Sequence, residues 1–117
     1  MNKKFIDMNN LTLIGRLGSE PVVINSNGSL AARISLGVSM KSGKTESETE
    51  WFEVFLRDSL AMFAKEYYHT GDKVYVYGHL TSGSYEDKDG NTHHVTRIEA
   101  DETEKISTAK RNQKMDK

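Results

Sequence analysis

The feature that most constrains the fold of this chain is the alternation of apolar with small or polar residues between Leu30 and Met40. Leucine, alanine, isoleucine and valine stand at every second position from Leu30 to Val38. A period of two with one apolar face is typical of a half-buried β-strand. Further strands are predicted at Leu11 to Leu17, Glu50 to Leu56 and Lys73 to Leu80, with a short extended piece at Val22 to Ile24 and a final hairpin with arms at Ser84 to Glu86 and His93 to Ala100.

One segment departs from this pattern and predicts a helix. Asp58 is placed to cap a helix N-terminus, and Gly71 is placed to close the helix after about ten residues. Between them, four side chains recur at the spacing of a single helical face. They are Leu60, Phe63, Ala64 and Tyr67.

The order of these elements predicts an all-β protein. Short strands interrupted once by a helix, with connections suited to antiparallel pairing, indicate a small barrel. In the OB-fold, a five-stranded Greek-key β-barrel, the one short α-helix falls between strands 3 and 4, which is where the helix is predicted here. The 117 residues are enough for one such domain.

Composition excludes several classes of protein. The chain has no cysteine, which excludes disulfide scaffolds, thiolate metal sites and cysteine nucleophiles. It contains no apolar run of the roughly 18–20 residues that span a bilayer, and the N-terminus lacks the apolar core of a secretory signal. We therefore expect a soluble intracellular protein with no membrane partner.

The titratable residues do not suggest catalysis. The four histidines are His69, His79, His93 and His94, and the last two point to opposite faces if they lie on a strand. No carboxylate and histidine set has metal-ligand spacing, and no nucleophile elbow or phosphate loop is present. We expect no metal, no cofactor and no enzymatic activity.

Aromatic residues are predicted on the strand faces opposite the aliphatic core. Exposed rings of this kind expose apolar area that a ligand or a subunit should cover. Trp51 and Tyr85 favour stacking on unpaired bases, whereas Tyr75 and Tyr77 fit an oligomer interface at least as well. The residues predicted to face outward are Trp51, Phe55, Tyr75, Tyr77 and Tyr85.

The net charge of −1, from 16 Lys and Arg against 17 Asp and Glu, gives no reason to expect nucleic-acid binding driven by bulk charge. Local charge is different, because several basic residues lie on or beside predicted strands and are candidates for phosphate contacts. Glu53, on the same face as Trp51, is unfavourable for such binding. The basic candidates are Arg16, Arg33, Arg57 and Lys73.

Five segments in order resemble the bacterial single-stranded DNA-binding protein family over roughly residues 9 to 106. They are LTLIGRLGSEPVV, the NSNG turn with LAARISLGVS, TEWFEV, EYYHTGDKVYVYGHL and SYEDKDGNTHHVTRIEADE. The resemblance implies an OB-fold protomer that binds single-stranded DNA without sequence preference in replication, recombination or repair. It also implies a bacterial, cytoplasmic, nucleoid-associated protein that forms a homo-oligomer, more commonly a tetramer than a dimer.

The resemblance assigns roles to individual residues. Trp51 and Tyr85 stand at positions where aromatic side chains of the family stack on bases. Met40 and Arg57 lie where the family has two further aromatics, so a soft apolar contact and a guanidinium replace them. Phe52 stands where many members have a histidine at the subunit interface, so it is expected to pack between subunits. Tyr75 and Tyr77, on the strand that follows the helix, are the other candidates for that interface.

The chain is expected to divide into an OB-fold domain, residues 1–106, and a short basic tail, residues 107–117, that is disordered. The tail sequence STAKRNQKMDK lacks the acidic tip by which family members recruit repair proteins, so such recruitment is not expected. Two alternatives stay open from the residues. One is a primosomal OB-fold adaptor with weaker DNA binding, and the other is an RNA-binding OB domain.

Overall fold

A computed structural model describes residues 7–41 and 47–109. These residues form six strands and one helix in the predicted order. The predicted bounds of the first strand coincide with the observed ones, and the other strands are longer than predicted. The elements are β1 (Leu11–Leu17), β2 (Val22–Ser26), β3 (Ser29–Lys41), β4 (Ser47–Arg57), α1 (Asp58–Tyr67), β5 (Lys73–Glu86) and β6 (Thr92–Ser107).

The strands of the described residues close into a ring. Their order is β1-β5-β6-β4-β3-β2, and β1 also pairs with β3 through Leu17 and Leu36, so five strands form a circuit with β2 attached outside it. The short piece at Val22 is counted here as β2, so the helix predicted between strands 3 and 4 lies between β4 and β5, which confirms the predicted OB-fold. One pairing differs from the antiparallel expectation, since β4 runs parallel to β6 with Val54 opposite Ile98. The sequence could not indicate this pairing because it joins strands distant in the chain.

The inward face of β4 was predicted correctly. Val54 and Leu56 are fully buried, whereas Trp51 and Arg57, on the other face, are exposed. The buried side chains of β3, which include Ile34 and Leu36, pack against them in the core. The period of two in the sequence therefore reports which side of each strand faces the interior.

The predicted core face of the helix is wrong in part. Ala64 is buried and Leu60 packs against the core, as predicted, but Phe63 and Tyr67 are largely exposed. The helix also buries Ala61, with Tyr68 just beyond its end. Small alanines allow the helix to lie close to the barrel, and the buried Tyr68 hydroxyl makes a 2.8 Å hydrogen bond with the Thr103 hydroxyl. Phe63 packs against Tyr67 and Tyr68 with ring centroids 4.7 and 5.6 Å apart.

Both predicted helix-terminal residues are displaced. Asp58 is the first helical residue and has a φ of 51°, while the residue before the helix is Arg57, which makes no side-chain cap. The reason is that β4 runs directly into α1, so the chain turns sharply at an aspartate, which tolerates left-handed backbone. The helix ends at Tyr67, and Gly71 lies in the following turn with a φ of 89°.

The turn after the helix is held by the buried carboxylate of Asp72. It accepts hydrogen bonds from the backbone N–H groups of His69 and Ala109, each 2.9 Å, and lies 3.0 Å from the Lys105 ammonium. Burial alone would raise the pKa of Asp72, but these donors lower it below the ordinary value. Of the predicted tail, residues 107–109 are described and Ala109 docks against this turn, while residues 110–117 lie outside the described part of the chain.

Candidate nucleic-acid interface

The indole of Trp51 lies on a seat made of glycine backbone. Trp51 pairs with Gly37 in the register of β3 and β4, and a Cβ built on Gly37 would lie 2.7 Å from its Cζ3 atom. A Cβ on Gly18, just after β1, would lie 2.6 Å from the same atom. The side chain nevertheless stays 58% exposed. The ring is therefore supported on the protein side and open on the other.

A groove on one side of Trp51 contains two of the predicted phosphate-contacting residues. Arg16 and Lys73 line it together with Ser39 and Thr49. The Arg16 guanidinium donates a 3.0 Å hydrogen bond to the Gly71 carbonyl, which positions the charge beside the groove. The pairing of β1 with β5, in which Arg16 and Lys73 are register partners, brings these two cations together.

A second groove begins on the other side of Trp51. It is lined by Phe55, Tyr85 and Arg97, among others. The Arg97 guanidinium carbon lies 5.2 Å from the centre of the Phe55 ring, within the range of a cation–π contact. Trp51 borders both grooves, so the aromatic and basic residues form one continuous surface, which we call the stacking face.

Sequence reasoning missed Arg97 as a site residue. The only signal was its place in the final predicted arm, His93 to Ala100, as a basic residue on a strand. Its position beside Phe55 depends on the parallel pairing of β4 with β6, in which Phe55 lies opposite Glu99.

Tyr85 is 54% exposed and stacks on His93, its register partner in the hairpin formed by β5 and β6. The two ring centroids lie 5.1 Å apart with an angle of 19° between the planes. His93 Nε2 in turn lies 2.7 Å from Asp87 Oδ2, while Asp87 Oδ1 accepts the backbone N–H groups of Asp89 and Asn91. Tyr85 is thus supported by side chains that are themselves held by the hairpin turn.

The hydrogen bond with His93, followed by those from the turn backbone, holds the pKa of the Asp87 carboxyl below its ordinary value. The ionised form of Asp87 is therefore the one that the folded hairpin favours.

Two predicted phosphate contacts lie against carboxylates. Arg33 Nε is 3.6 Å from Glu53, the acidic residue that was unfavourable on this face. Arg57 Nε donates a 3.1 Å hydrogen bond to Glu99, and this hydrogen bond raises the pKa of the guanidinium. Both cations are already partly neutralised, so they offer a phosphate less than Arg16 and Lys73 do.

The remaining predicted residues lie at the margins of the stacking face or apart from it. Met40 is exposed near the end of β3, next to residues 42–46, which lie outside the described part. Phe52 is half-buried at the second groove. Tyr75 lines a separate groove with Glu102 and Glu104, and neither it nor the half-buried Tyr77 lines the two grooves beside Trp51. Of these four residues, only Phe52 lines one of the two grooves beside Trp51.

Three of the four histidines have carboxylate neighbours, and one of the three is His93, which lies beside Asp87. His69 lies 3.1 Å from Glu20 and His79 lies 2.9 Å from Asp101. Within residues 7–41 and 47–109, no group of three or more histidine and acidic side chains could hold a metal ion. In the same residues, the helix is neither long nor apolar enough to cross a membrane.

A five-stranded ring with its helix between β4 and β5, and exposed rings set between grooves that contain basic residues, defines the class of OB-fold proteins that bind nucleic acid. Comparison with known proteins narrows the class. The model of the single-strand binding protein family matches residues 8–106. The chain therefore belongs to this family, as the sequence resemblance predicted, and its members bind DNA rather than catalyse a reaction.

Individual relatives agree with this assignment. The chain is 30% identical over 114 residues to Single-stranded DNA-binding protein 1 of Xylella fastidiosa, covering 92% of this chain and 84% of that protein. It is 32% identical over 109 residues to the Single-stranded DNA-binding protein of Bacteroides thetaiotaomicron, covering 87% and 68% respectively. A solved structure of the Plasmodium falciparum SSB in complex with ssDNA superposes with a TM-score of 0.70 at 26% identity, covering 92% of this chain and 99% of that one.

Proposed function

We propose that this protein binds and protects single-stranded DNA without sequence preference in replication, recombination or repair. The observation that carries the proposal is the open ring of Trp51 at the junction of two grooves, one with Arg16 and Lys73 and the other with Phe55, Arg97 and Tyr85. Every base has a flat face, so stacking on Trp51 and Tyr85 tolerates any sequence. Stacking also requires unpaired bases, which favours a single strand over a duplex.

The near-neutral charge fits this mechanism. With a net charge of −1, binding cannot depend mainly on the attraction of a uniformly basic surface for phosphate. Arg16 and Lys73 supply phosphate contacts beside Trp51, and Arg97 adds one next to Phe55. Arg33 and Arg57 are secondary, because their carboxylate partners compete with phosphate. A plot of the logarithm of the binding constant against the logarithm of the salt concentration should accordingly have a shallow slope for the length of strand covered.

The other assignments extend the same proposal. Phe52, Tyr75 and Tyr77 pack between subunits of a homo-oligomer, which we expect to be a tetramer, and Met40 contributes an apolar contact to DNA. Residues 1–106 form the binding domain and residues 107–117 a short basic tail. A protein that coats single-stranded DNA would act in the bacterial cytoplasm at the nucleoid.

The test is a binding comparison by fluorescence anisotropy with labelled oligonucleotides of equal length. We expect tight and similar affinity for oligo-dT and mixed-sequence single strands, and much weaker affinity for the corresponding duplex. Light scattering of the free protein and of complexes with oligo-dT of increasing length gives the number of protomers and the site size.

Other outcomes would favour the alternative functions. Equal or tighter binding of the ribo-oligonucleotide would support an RNA-binding OB domain, because the DNA preference would then be missing. A dimer mass with weak binding to every oligonucleotide would support the primosomal adaptor. Either result would overturn the proposed function.

A further inference from the structure

The indole of Trp51 occupies the space that a Cβ atom would need at Gly18 and at Gly37. At both positions the nearest atoms to a built Cβ belong to the six-membered ring of the indole, at 2.6 Å for Gly18 and 2.7 Å for Gly37. Cβ atoms in proteins essentially never lie closer than 3.0 Å to another heavy atom of this kind. Any side chain larger than hydrogen at either position would therefore displace the ring.

Backbone conformation does not require glycine at these two sites. Gly28, Gly71 and Gly90 have φ values of 81°, 89° and 85°, in the region that favours glycine. Gly18 and Gly37 have φ values outside that region. An alanine could therefore adopt their backbone conformation without strain, and the constraint comes from the space that the indole occupies.

Two other glycines are needed only because the backbones of paired strands lie close together. A Cβ on Gly15 would lie 2.4 Å from the Gly37 carbonyl oxygen, and one on Gly78 would lie 2.1 Å from the Glu99 carbonyl oxygen. In those cases backbone meets backbone, and a substitution would separate strands. At Gly18 all three nearest atoms belong to Trp51, so the contact serves the orientation of that side chain.

We propose that Gly18 and Gly37 are positioning residues that seat the Trp51 indole in the orientation that accepts a base. The inference rests on the proposed function, and it identifies the residues that hold Trp51 in an orientation suited to stacking on a base. Gly37 lies across the strand pair from Trp51, and Gly18 is held beside it by its N–H, which donates a 2.9 Å hydrogen bond to the Ser35 carbonyl. Two elements thus form a floor without side chains, and an exposed ring that would otherwise sample several rotamers rests on that floor.

Such a seat raises affinity by preorganisation. A base that stacks on a fixed ring does not have to order that ring first, so less conformational entropy is lost on binding. A methyl group at position 18 or 37 pushes the indole into another rotamer, away from the line between the two grooves. Because Trp51 is 58% exposed, the ring can move into solvent without opening the core.

The first test is Gly18→Ala, with Gly37→Ala as a second variant in case one of them fails to fold. We expect either substitution to weaken binding of labelled oligo-dT by about tenfold, a large part of the loss expected for Trp51→Ala. Trp51 is the only tryptophan in the chain, so emission of the free protein reports directly on its environment. We expect stronger acrylamide quenching and an altered emission maximum in both glycine variants, with an unchanged midpoint of thermal unfolding to within a few degrees.

Gly83→Ala is the matched control. Gly83 is a strand glycine of β5, and a Cβ there would meet no atom of the described residues within 4 Å. This variant adds the same methyl group and should leave the Trp51 emission and quenching unchanged. A change in Trp51 emission as large as that of Gly18→Ala would show that the signal is not specific to the seat and would overturn the inference.

A double-mutant cycle separates positioning from general structural damage. In the Trp51→Ala background, Gly18→Ala should cause no further loss of affinity, because the ring that it positions is gone. An equal loss with and without Trp51 would overturn the positioning role, as would wild-type affinity in both glycine variants. The proposed function fails separately, if Trp51→Ala itself binds oligo-dT as tightly as the wild type.

Discussion

The two exposed rings of the stacking face, Trp51 and Tyr85, have similar exposure, 58% and 54%, but very different supports. Trp51 rests on glycine backbone in the wall of the barrel, close to the fully buried side chains of β3 and β4. Tyr85 stacks on His93 in a hairpin whose side chains are mostly exposed, and His93 depends on Asp87. One ring is fixed by the fold itself and the other by a local chain of side-chain contacts.

This difference predicts how each ring responds to perturbation. The seat of Trp51 carries no ionisable side chain and should change only if the barrel changes. The support of Tyr85 includes the carboxylate of Asp87, whose pKa is lowered in the folded hairpin, so it should respond to acid and to single substitutions that leave the barrel intact. Local free energies of opening differ across a protein in this way, with hairpin tips at the low end.

The largest effect should come from breaking the wall that holds Trp51. Val54 lies on the same strand as Trp51, fully buried on the inward face. Val54→Asp places an unpaired carboxylate in the core, which should lower the free energy of unfolding by on the order of 4 kcal/mol or more. A loss of this size removes much of the total stability of a small domain. Circular dichroism should show an unfolded or strongly destabilised protein, and a native melting curve would contradict the assignment of faces on β4.

Trp51→Ala should instead separate binding from stability. We expect a loss of about 1–3 kcal/mol in the free energy of oligo-dT binding, with the free energy of unfolding changed by no more than about 1 kcal/mol. Anisotropy titration and denaturant unfolding measure the two quantities. If both fall together, Trp51 belongs to the core and the stacking face is wrongly assigned.

Tyr85→Ala should have a smaller effect than Trp51→Ala, because a hairpin ring has to be ordered more extensively on binding. We expect a loss of about 1 kcal/mol in the free energy of binding. Tyr67→Ala is the matched control, since Tyr67 is a tyrosine of 55% exposure on α1, outside both grooves. If Tyr67→Ala weakens binding as much as Tyr85→Ala does, exposure rather than position would explain the loss.

The smallest effect is the acid response of the Tyr85 support. The pKa of Asp87 is lowered in the folded protein, chiefly by its hydrogen bond with His93. The ionised carboxylate therefore contributes its full stabilisation of the hairpin above the ordinary pKa of about 4, and this stabilisation is lost as the pH falls through the lowered pKa. Between about pH 5.5 and 2, NMR signals of the Tyr85 ring should therefore shift only at the acid end. Asp87→Asn should abolish this transition, and a Trp51 indole signal that followed the same curve would contradict the separate supports.

The sequence predicted the parts of this molecule that depend on local periodicity. Alternation placed Val54 and Leu56 inward and Trp51 outward, and the order of strands and helix indicated the OB-fold. The helix face was predicted correctly at Leu60 and Ala64 but not at Phe63 and Tyr67, because close packing of the helix on the barrel requires small side chains.

What the sequence could not predict depends on strands that meet only in three dimensions. Arg97 reaches Phe55 because β6 runs parallel to β4, and Gly18 reaches Trp51 because the end of β1 crosses beside β3. The pairing of Arg33 with Glu53 likewise follows from the register of β3 against β4. Pairings of this kind turn separate motifs into one surface.

The most direct test of the stacking face is the emission of Trp51 during titration with oligo-dT at low salt. A base that stacks on the open side of the indole should quench its fluorescence saturably, with a stoichiometry that matches the site size from light scattering. Added salt should reverse the quenching in parallel with the loss of bound DNA. Tight binding of oligo-dT with unchanged Trp51 emission would contradict the account, because the strand would then follow a path that avoids its central ring.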